Sequence, residues 1–465
     1  MNEQQPIYNA KELGTGKTLV LGVQHLFAMF GATVLVPLLT GLSVSATLLF
    51  AGLATLFCHF VTGRKIPVFL GSSFAFLGGY AAIAPTTLAD NVTPNPDLPR
   101  LLPYACFGVA CAGLLYLVLA AICKAVGSKK IMQFFPPVVT GPIIIAIGMN
   151  LAPSAINNCS QNWWIALVAI VVVIVANLWG KGMVKIIPIL LGVVASYLVA
   201  AVTGNVDFTM VKEAAWIGLP FQMKDTVFGL FGSGEVDGGL LLSAVITIVP
   251  IAFATMMEHV GDISAIGGTI GKNLIEDPGL HRTLIGDGIG TTIAALFGAP
   301  ANTTYGENTG VRVLTKVYDP KVVRIAAAYA IVLSFCPKFA ALISAMPTAT
   351  VGGVSIILYG MISAVGVRNM VENHTDFQKS RNVIVAAVIL GLALGINFSG
   401  LLGANITTAG NNATGAISFM IGDMKIGLSG LAVASIVGII LNAILPGKRD
   451  EYMPNQENSG SLGKF

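Results

Sequence analysis

The sequence predicts an all-α polytopic membrane protein of about fourteen transmembrane spans, arranged as two inverted seven-span repeats. Three observations carry this reading. Charged residues make up only 10% of the 465-residue chain, and its mean hydropathy is +0.80; soluble domains run near ~25% charged. Apolar runs of ~17–25 residues, long enough to cross a bilayer, recur along its whole length. Short motifs of the first half return, in order, in the second.

The first run, Thr18–Leu39, follows a polar segment and is too long for a signal h-region, so no cleavable signal peptide is expected. The predicted span centres of the first half are Phe27, Ala54, Leu77, Leu114, Ile145, Val171 and Val194. Those of the second half are Thr255, Thr291, Val311, Ala328, Ile356, Val388 and Ala434. With the N-terminus in the cytoplasm, only Arg100, Lys212, Lys224, Lys338 and Lys425 of the 26 basic residues fall outside. The remaining 21 (26 less these five) fall on cytoplasmic ends or loops, as the positive-inside rule requires, with both termini inside. The net charge of +4 is therefore set by topology, and nothing supports nucleic-acid binding.

The repeat is read from matched motifs. Gln24–Phe27 (QHLF) matches Glu258–Gly261 (EHVG), and Gly71–Phe76 (GSSFAF) matches Tyr305–Gly310 (YGENTG). Phe135–Gly141 (FPPVVTG) matches Met346–Gly352 (MPTATVG). Seven spans is an odd number, so the second repeat must be inverted, an arrangement that places a substrate near the midplane where discontinuous helices meet. Glycine is 53 of 465 residues, which suits close helix packing and broken helices.

Spans three and ten begin badly as helices. KIPVFLGSS holds Pro67 and Gly71, and APANTTYG holds Pro300 and Gly306 with the β-branched pair Thr303–Thr304. Each reads as a short extended segment followed by a half-helix. Extended backbone at membrane depth must pair or line a cavity, and the economical solution pairs the two segments with each other. The half-helix N–H groups then face a shared pocket suited to carbonyl oxygens. Simple Gly/Pro kinks remain the other reading.

Four acids lie within or beside apolar runs: Glu258, Asp262, Asp287 and Glu307. Intramembrane acids are functional candidates by default, against interhelical hydrogen bonding as the structural alternative. Glu258 and Asp262, spaced i, i+4, share a helix face. A protonated glutamate donates and accepts, whereas an ionised one only accepts, so binding here can depend on protonation. His25 and His259 sit near the start of each repeat as structural hydrogen bonders. The five histidines lack metal-ligand spacing, and the six cysteines form no CxxC pair. No metal, cofactor or disulfide is expected, and no catalytic constellation points to an enzyme.

Several stretches together resemble one family. QHLFAMFGATVLVP, KIPVFLGSSFAF, EHVGDI, DPGLHR, NTTYGENTGV and GGVSIILYGMI are similar to the nucleobase–ascorbate transporters, also called nucleobase–cation symporter family 2, and within it to the bacterial uracil permeases. The resemblance runs from about Thr18 to Leu445. The family signature, an acidic or amide residue followed by N-x-G-x-x-x-x-T-[K/R/G], reads here Glu307, Asn308, Gly310, Thr315, Lys316.

The resemblance implies a fourteen-span fold with short antiparallel strands in spans three and ten. A core domain would comprise residues 18–125 and 239–344, and a gate domain residues 131–204 and 348–446. An external connection over 205–238 would join the halves, with a cytoplasmic segment at 1–17 and a disordered cytoplasmic tail at 447–465. It further implies a proton-coupled uracil symporter of the bacterial inner membrane, a homodimer through its gate domains, importing the free base by an elevator-like step. By position, Glu258 and Glu307 would bind the base through their carboxyls. The Phe74, Gly306 and Glu307 backbones would contact its polar edge, with Ser73 beside them. Ala32 and Tyr305 would pack on it, and Asp262 would close the pocket. Glu307, then Glu258 and Asp287, would carry the coupling proton, while His25 and Asn308 would support the core. Asp262, where some uracil permeases carry histidine, and Asp287 in LIGDG are similar to purine-transporting relatives, so a xanthine or urate symporter is the alternative.

Overall fold

The computed structural model describes residues 6–88, 93–232, 236–306, 308–398, 416–421 and 424–447. Among the described residues, fourteen helices hold the predicted span centres, with shorter helices between them. The first seven are α1 (Thr15–Thr40), α2 (Val44–Val61), α3 (Leu77–Ile83), α4 (Leu98–Val126), α5 (Pro137–Ser160), α6 (Trp163–Trp179) and α7 (Pro188–Val202). The rest are α8 (Gly238–Ile270, with a tight turn at Val249–Ile251), α9 (Leu280–Leu296), α10 (Asn308–Thr315), α11 (Pro320–Ser334), α12 (Thr348–Glu372), α13 (Ser380–Phe398) and α14 (Gly430–Ile444). The predicted span centres fall in these helices in order. Among the described residues, seven helices are long and apolar enough to cross a membrane. An eighth results if α11 is joined to the helix Pro337–Ser344, which leaves it at 89°.

Local chemistry sets the helix ends. Side chains of Ser43, Asn162, Asp237, Asp319 and Ser429 accept hydrogen bonds from first-turn amides of α2, α6, α8, α11 and α14, which covers donors that have no helical acceptor. Proline opens α5, α7 and α11, where its missing N–H costs nothing. Gly41, at φ 80°, lets the chain leave α1 in a left-handed cap.

The helices pack in two groups. In one, α9 lies on α4 and α2, and α11 lies on α2 and α1. In the other, α5 lies on α12, α12 on α6, α6 on α7, and α13 on α14 and α5. The outer face of α6 is apolar, with Leu167, Val171, Val175 and Leu178 exposed. Trp164 is 79% exposed at one end and Trp179 69% at the other. Fifteen residues at ~1.5 Å each separate these rings by roughly 22 Å, which matches aromatic anchors at the two membrane interfaces. The chain is a multi-pass membrane protein.

The two interrupted stretches are extended. β1 (Leu70–Ser72) pairs antiparallel with β2 (Asn302–Thr304), in the register Leu70↔Thr304, Gly71↔Thr303 and Ser72↔Asn302. The ladder runs one step further at each end, Tyr305 N donating to Phe69 O at 3.0 Å and Ser73 N to Ala301 O at 2.9 Å. A second antiparallel pair, β3 (Ala416–Ile421) with β4 (Met424–Ser429), lies where the sequence reading placed no strands. Its β-prone run ISFMI explains the difference.

The segment before α1 lies across the end of α10. Ile7 N donates to Lys316 O and Tyr318 N to Ile7 O, both at 2.8 Å. Tyr8 donates to Ile270 O at 3.0 Å, meets the Tyr318 ring in a tilted contact at 5.5 Å and lies under the Lys272 ammonium. Burial pushes the Tyr318 phenol's pKa up, and the Tyr8 phenol adds to the shift.

Candidate functional site

The site is built around the paired strands. Inside a bilayer, a two-stranded sheet has two edges whose N–H and C=O groups need partners. Side chains supply them. Thr55 of α2 receives Leu70 N at 2.9 Å and faces Leu70 O at 3.4 Å. Thr291 of α9 does the same for Asn302, with its O at 2.5 Å and its N at 3.2 Å. Ser72 donates through its hydroxyl to Thr33 O of α1 at 2.9 Å, and Tyr305 donates to Ser72 O at 2.9 Å. His59 reaches Val68 O at 2.8 Å just before β1.

The free amide of Thr304 goes to Asp287. Asp287 accepts from Thr304 N at 3.2 Å and from Thr304 Oγ1 at 3.1 Å, and its Oδ2 lies 2.8 Å from His259 Nδ1. His259 Nε2 lies 2.8 Å from Thr283 Oγ1. Asp287 and His259 are buried, so this is an enclosed strut joining α8, α9 and β2.

The strands are antiparallel, so β1 and β2 end at opposite ends of the pair, β1 leading on to α3 at Leu77 and β2 to α10 at Asn308. The first-turn N–H groups of each half-helix have no helical acceptor.

Several predicted site residues lie at the strands and at the turn into α10. Gly71 and Tyr305 touch so closely that a Cβ on Gly71 would lie 2.4 Å from the tyrosine ring. A Cβ on Gly306 would lie 3.3 Å from Asp262 Oδ1, so the Asp262 carboxyl rests against the turn into α10. Glu258 lies one turn earlier on α8 and is partly buried. Ala32 is buried on α1 beside Thr33, which contacts β1. Phe74 is buried, its ring 5.6 Å from Tyr359 of α12 in an edge-on arrangement.

Three predicted residues carry buried polar atoms with no hydrogen-bond partner among the described residues: Ser73 Oγ, both amide atoms of Asn308, and His25 Nδ1. Glu307 lies outside the described residues, so its predicted binding and proton-carrying roles have no geometry here. Asp287 is tied into the strut rather than facing the pocket turn.

Sequence reasoning missed Arg312. It is 0% exposed on α10 and interacts electrostatically with Asp262 and Tyr318, and with His25. The charge count grouped it with the cytoplasmic ends. Its place inside the signature stretch, four residues past Asn308 and so on the same helix face, was the available signal. Thr55 and Thr291 were missed as well, since threonine is unremarkable in a membrane helix.

Phe74 also lines a cavity of ≈ 70 Å³, together with Thr86, Asn150, Ser154 and Asn397.

Residues 16–402 match a family described as the Permease family. The chain is 38% identical to the uracil permease of Bacillus caldolyticus over 96% of both chains. It is 36% identical to the uracil permease of Escherichia coli (strain K12), over 92% of this chain and 91% of that one. Among solved structures, the transmembrane domain of a cyanobacterium bicarbonate transporter, BicA, is similar with a TM-score of 0.59 at 14% identity, over 94% of this chain and 99% of that one. That likeness concerns the fold alone. The relatives are permeases, transporters rather than enzymes. By this match and these identities, the chain belongs to the permease family of nucleobase–ascorbate transporters.

Proposed function

We propose that this chain is a uracil permease that imports the free base together with protons. The observation that carries the reading is the junction of the two strands and two half-helices. There the Asp262 carboxyl rests against Gly306, and the buried Ser73 hydroxyl and Asn308 amide have no partner among the described residues. Uracil alternates C=O and N–H along its edge. Half-helix amides donate to its carbonyls, and carboxyls at Glu258 and Glu307 accept from its N–H groups. A base lacking one of these groups strands a buried polar partner, so such a site discriminates strongly. The identity to uracil permeases over nearly the whole chain supports this cargo. Asp262 against Gly306 adds an acceptor that also suits the wider edge of a purine, the second reading.

Glu307 and Glu258 are the proton carriers in this proposal. Asp287 serves as the strut. The fourteen helices form two inverted repeats, and exchange of helix n with n+7 supports this: α4 on α9 is matched by α11 on α2, and Thr55 on β1 by Thr291 on β2. Residues 18–125 and 239–344 form a core that moves against a gate of 131–204 and 348–446, with both termini cytoplasmic in the bacterial inner membrane. The apolar outer faces of α6 and α7, including Leu178 and Leu198, suit lipid and a second copy in a homodimer alike.

The test is radiolabelled uracil uptake into proteoliposomes with and without an inward proton gradient. Uptake that the gradient drives and excess uracil blocks is expected. Gradient-independent flux removes the coupling, and competition by xanthine but not uracil changes the cargo.

A further inference from the structure

Arg312 sits one turn into α10, on the same helix face as Asn308, and is 0% exposed. Arginine keeps its positive charge in proteins. Such a charge, buried within a membrane, is costly unless an opposite charge lies close. The structure supplies one, for Arg312 interacts electrostatically with Asp262 of α8. The fold brings the two together. A Cβ on Gly306 would lie 3.3 Å from Asp262 Oδ1, so this carboxyl sits at the turn just ahead of α10. Side chains on a helix lean toward its N-terminus, and Arg312 therefore leans toward that turn.

The other groups around Arg312 are of different kinds. α10 packs on α1, on α8 and on the short helix Met183–Ile186. From α1 comes His25, and beyond the end of α10 comes Tyr318. On α8, Glu258 lies one turn before Asp262, and Lys185 of the short helix is exposed. Two acids thus have a basic partner: Asp287 meets His259 at 2.8 Å in the strut, and Asp262 has Arg312.

We propose that Arg312 is a positioning residue, the fixed counter-charge that holds Asp262 as a carboxylate against the turn at Gly306. The inference rests on the transport reading above and adds a residue to it. A carboxylate accepts hydrogen bonds and cannot donate them. Asp262 is then a standing acceptor that takes a ring N–H of the base and rejects a ring carbonyl, and the coupling proton is left to Glu258 and Glu307.

The experiment is a double-mutant cycle on the full-length chain: Arg312→Met, Asp262→Asn and the two combined, with Arg312→Lys beside them. Uracil binding is read by calorimetry and stability by thermal unfolding in detergent. Arg312→Met strands the Asp262 charge and should weaken uracil binding by about tenfold or more, whereas in the Asp262→Asn background it should cost less than about threefold. Arg312→Lys keeps the charge and should recover most of the loss. In proteoliposome uptake, Arg312→Met should add a step to the pH profile, from protonation of the stranded Asp262, that the double variant lacks. Equal cost in both backgrounds overturns the counter-charge, as does an unchanged pH profile in Arg312→Met. An Asp262→Asn profile that has lost the wild-type pH dependence overturns it too, since Asp262 then carries the proton. If Arg312→Met fails to fold, a double variant that folds upholds the pair and one that does not overturns it. A wild-type chain that binds no uracil counts against the transport reading, and the unfolding cycle, which needs no uracil, still decides the pair.

Discussion

Replacing Gly71 with alanine tests the strand junction most directly. The added Cβ would lie 2.4 Å from Cε2 and from Cζ of Tyr305, and 2.9 Å from Thr33 Oγ1. Carbon pairs settle near ~3.5–4.0 Å, so the ring or the strand must move by roughly 1 Å. Tyr305 has little freedom, being 4% exposed, with its hydroxyl donating to Ser72 O at 2.9 Å. Moving the ring by that much breaks this bond, at ~0.5–1.5 kcal/mol, on top of ~1–3 kcal/mol for overpacking. The expected loss is about 2–4 kcal/mol, a roughly 30- to 1,000-fold fall in uracil affinity if all of it appears in binding. The assay is equilibrium uracil binding by calorimetry on Gly71→Ala, Tyr305→Ala and the double variant. Once the ring is gone only the 2.9 Å contact with the Thr33 hydroxyl remains, so adding Gly71→Ala to Tyr305→Ala should cost less than ~1 kcal/mol, a strongly non-additive cycle. Wild-type affinity in Gly71→Ala, or additivity within ~0.5 kcal/mol, refutes the packing argument.

Further outcomes follow from the same geometry. Thr55→Val and Thr291→Val keep shape but strip one strand residue each of its side-chain partner; each should destabilise by ~1–3 kcal/mol, with Thr→Ser near wild type, as read by thermal unfolding in detergent. Asp287→Asn replaces one oxygen of an acceptor of three contacts by a donor; it should lower stability by ~2–4 kcal/mol and weaken binding while the pH profile of uptake keeps its shape. A stable Asp287→Asn protein with a flattened profile would return the proton to that residue. Glu307→Gln removes a titrating group and should flatten the pH dependence of uptake, whereas Glu258→Ala should abolish binding. Ile7→Pro deletes the N–H that reaches Lys316 O at 2.8 Å; hydrogen exchange at Tyr318 N should speed up about 5- to 30-fold, for ~1–2 kcal/mol, and unchanged protection would show that the segment does not hold the end of α10.

Much of the fold could be read from hydropathy because bilayer thickness fixes helix length. The interruptions at Pro67–Gly71 and Pro300–Gly306 were legible because proline and glycine oppose a continuing helix, and Thr303–Thr304 favours extension. Glu258 and Asp262 were legible because charge inside an apolar run is costly. What stayed hidden depends on distance in three dimensions. Threonine at 55 or 291 reads the same whether or not a strand edge lies beside it. Arg312 was hidden by the very rule that served the topology, since counting basic residues by side assumes that each one is exposed. The Ile7–Tyr318 contact joins residues 311 positions apart and leaves no periodic trace in either segment.

Two short strands are an expensive way to cross the middle of a membrane, and their use has a physical consequence. A helix satisfies its own backbone and offers a ligand only side chains. An antiparallel pair satisfies itself along one edge and must recruit Thr55, Thr291, Ser72, Tyr305 and Asp287 along the rest. Those recruits brace the pair from α1, α2, α8 and α9 at once, so the strands stay where they are put. The ladder then stops at Ser73 and Tyr305, while α3 begins at Leu77 and α10 at Asn308. Ser73 Oγ, at the last rung of the ladder, and the Asn308 amide, at the first residue of α10, are buried with no partner among the described residues. In the proposed site, rigid strands would hold main-chain donors and side-chain acceptors in place before a base arrives, so less order would have to be created on binding. Weakening any one brace should loosen both strands together, because each strand is the other's partner.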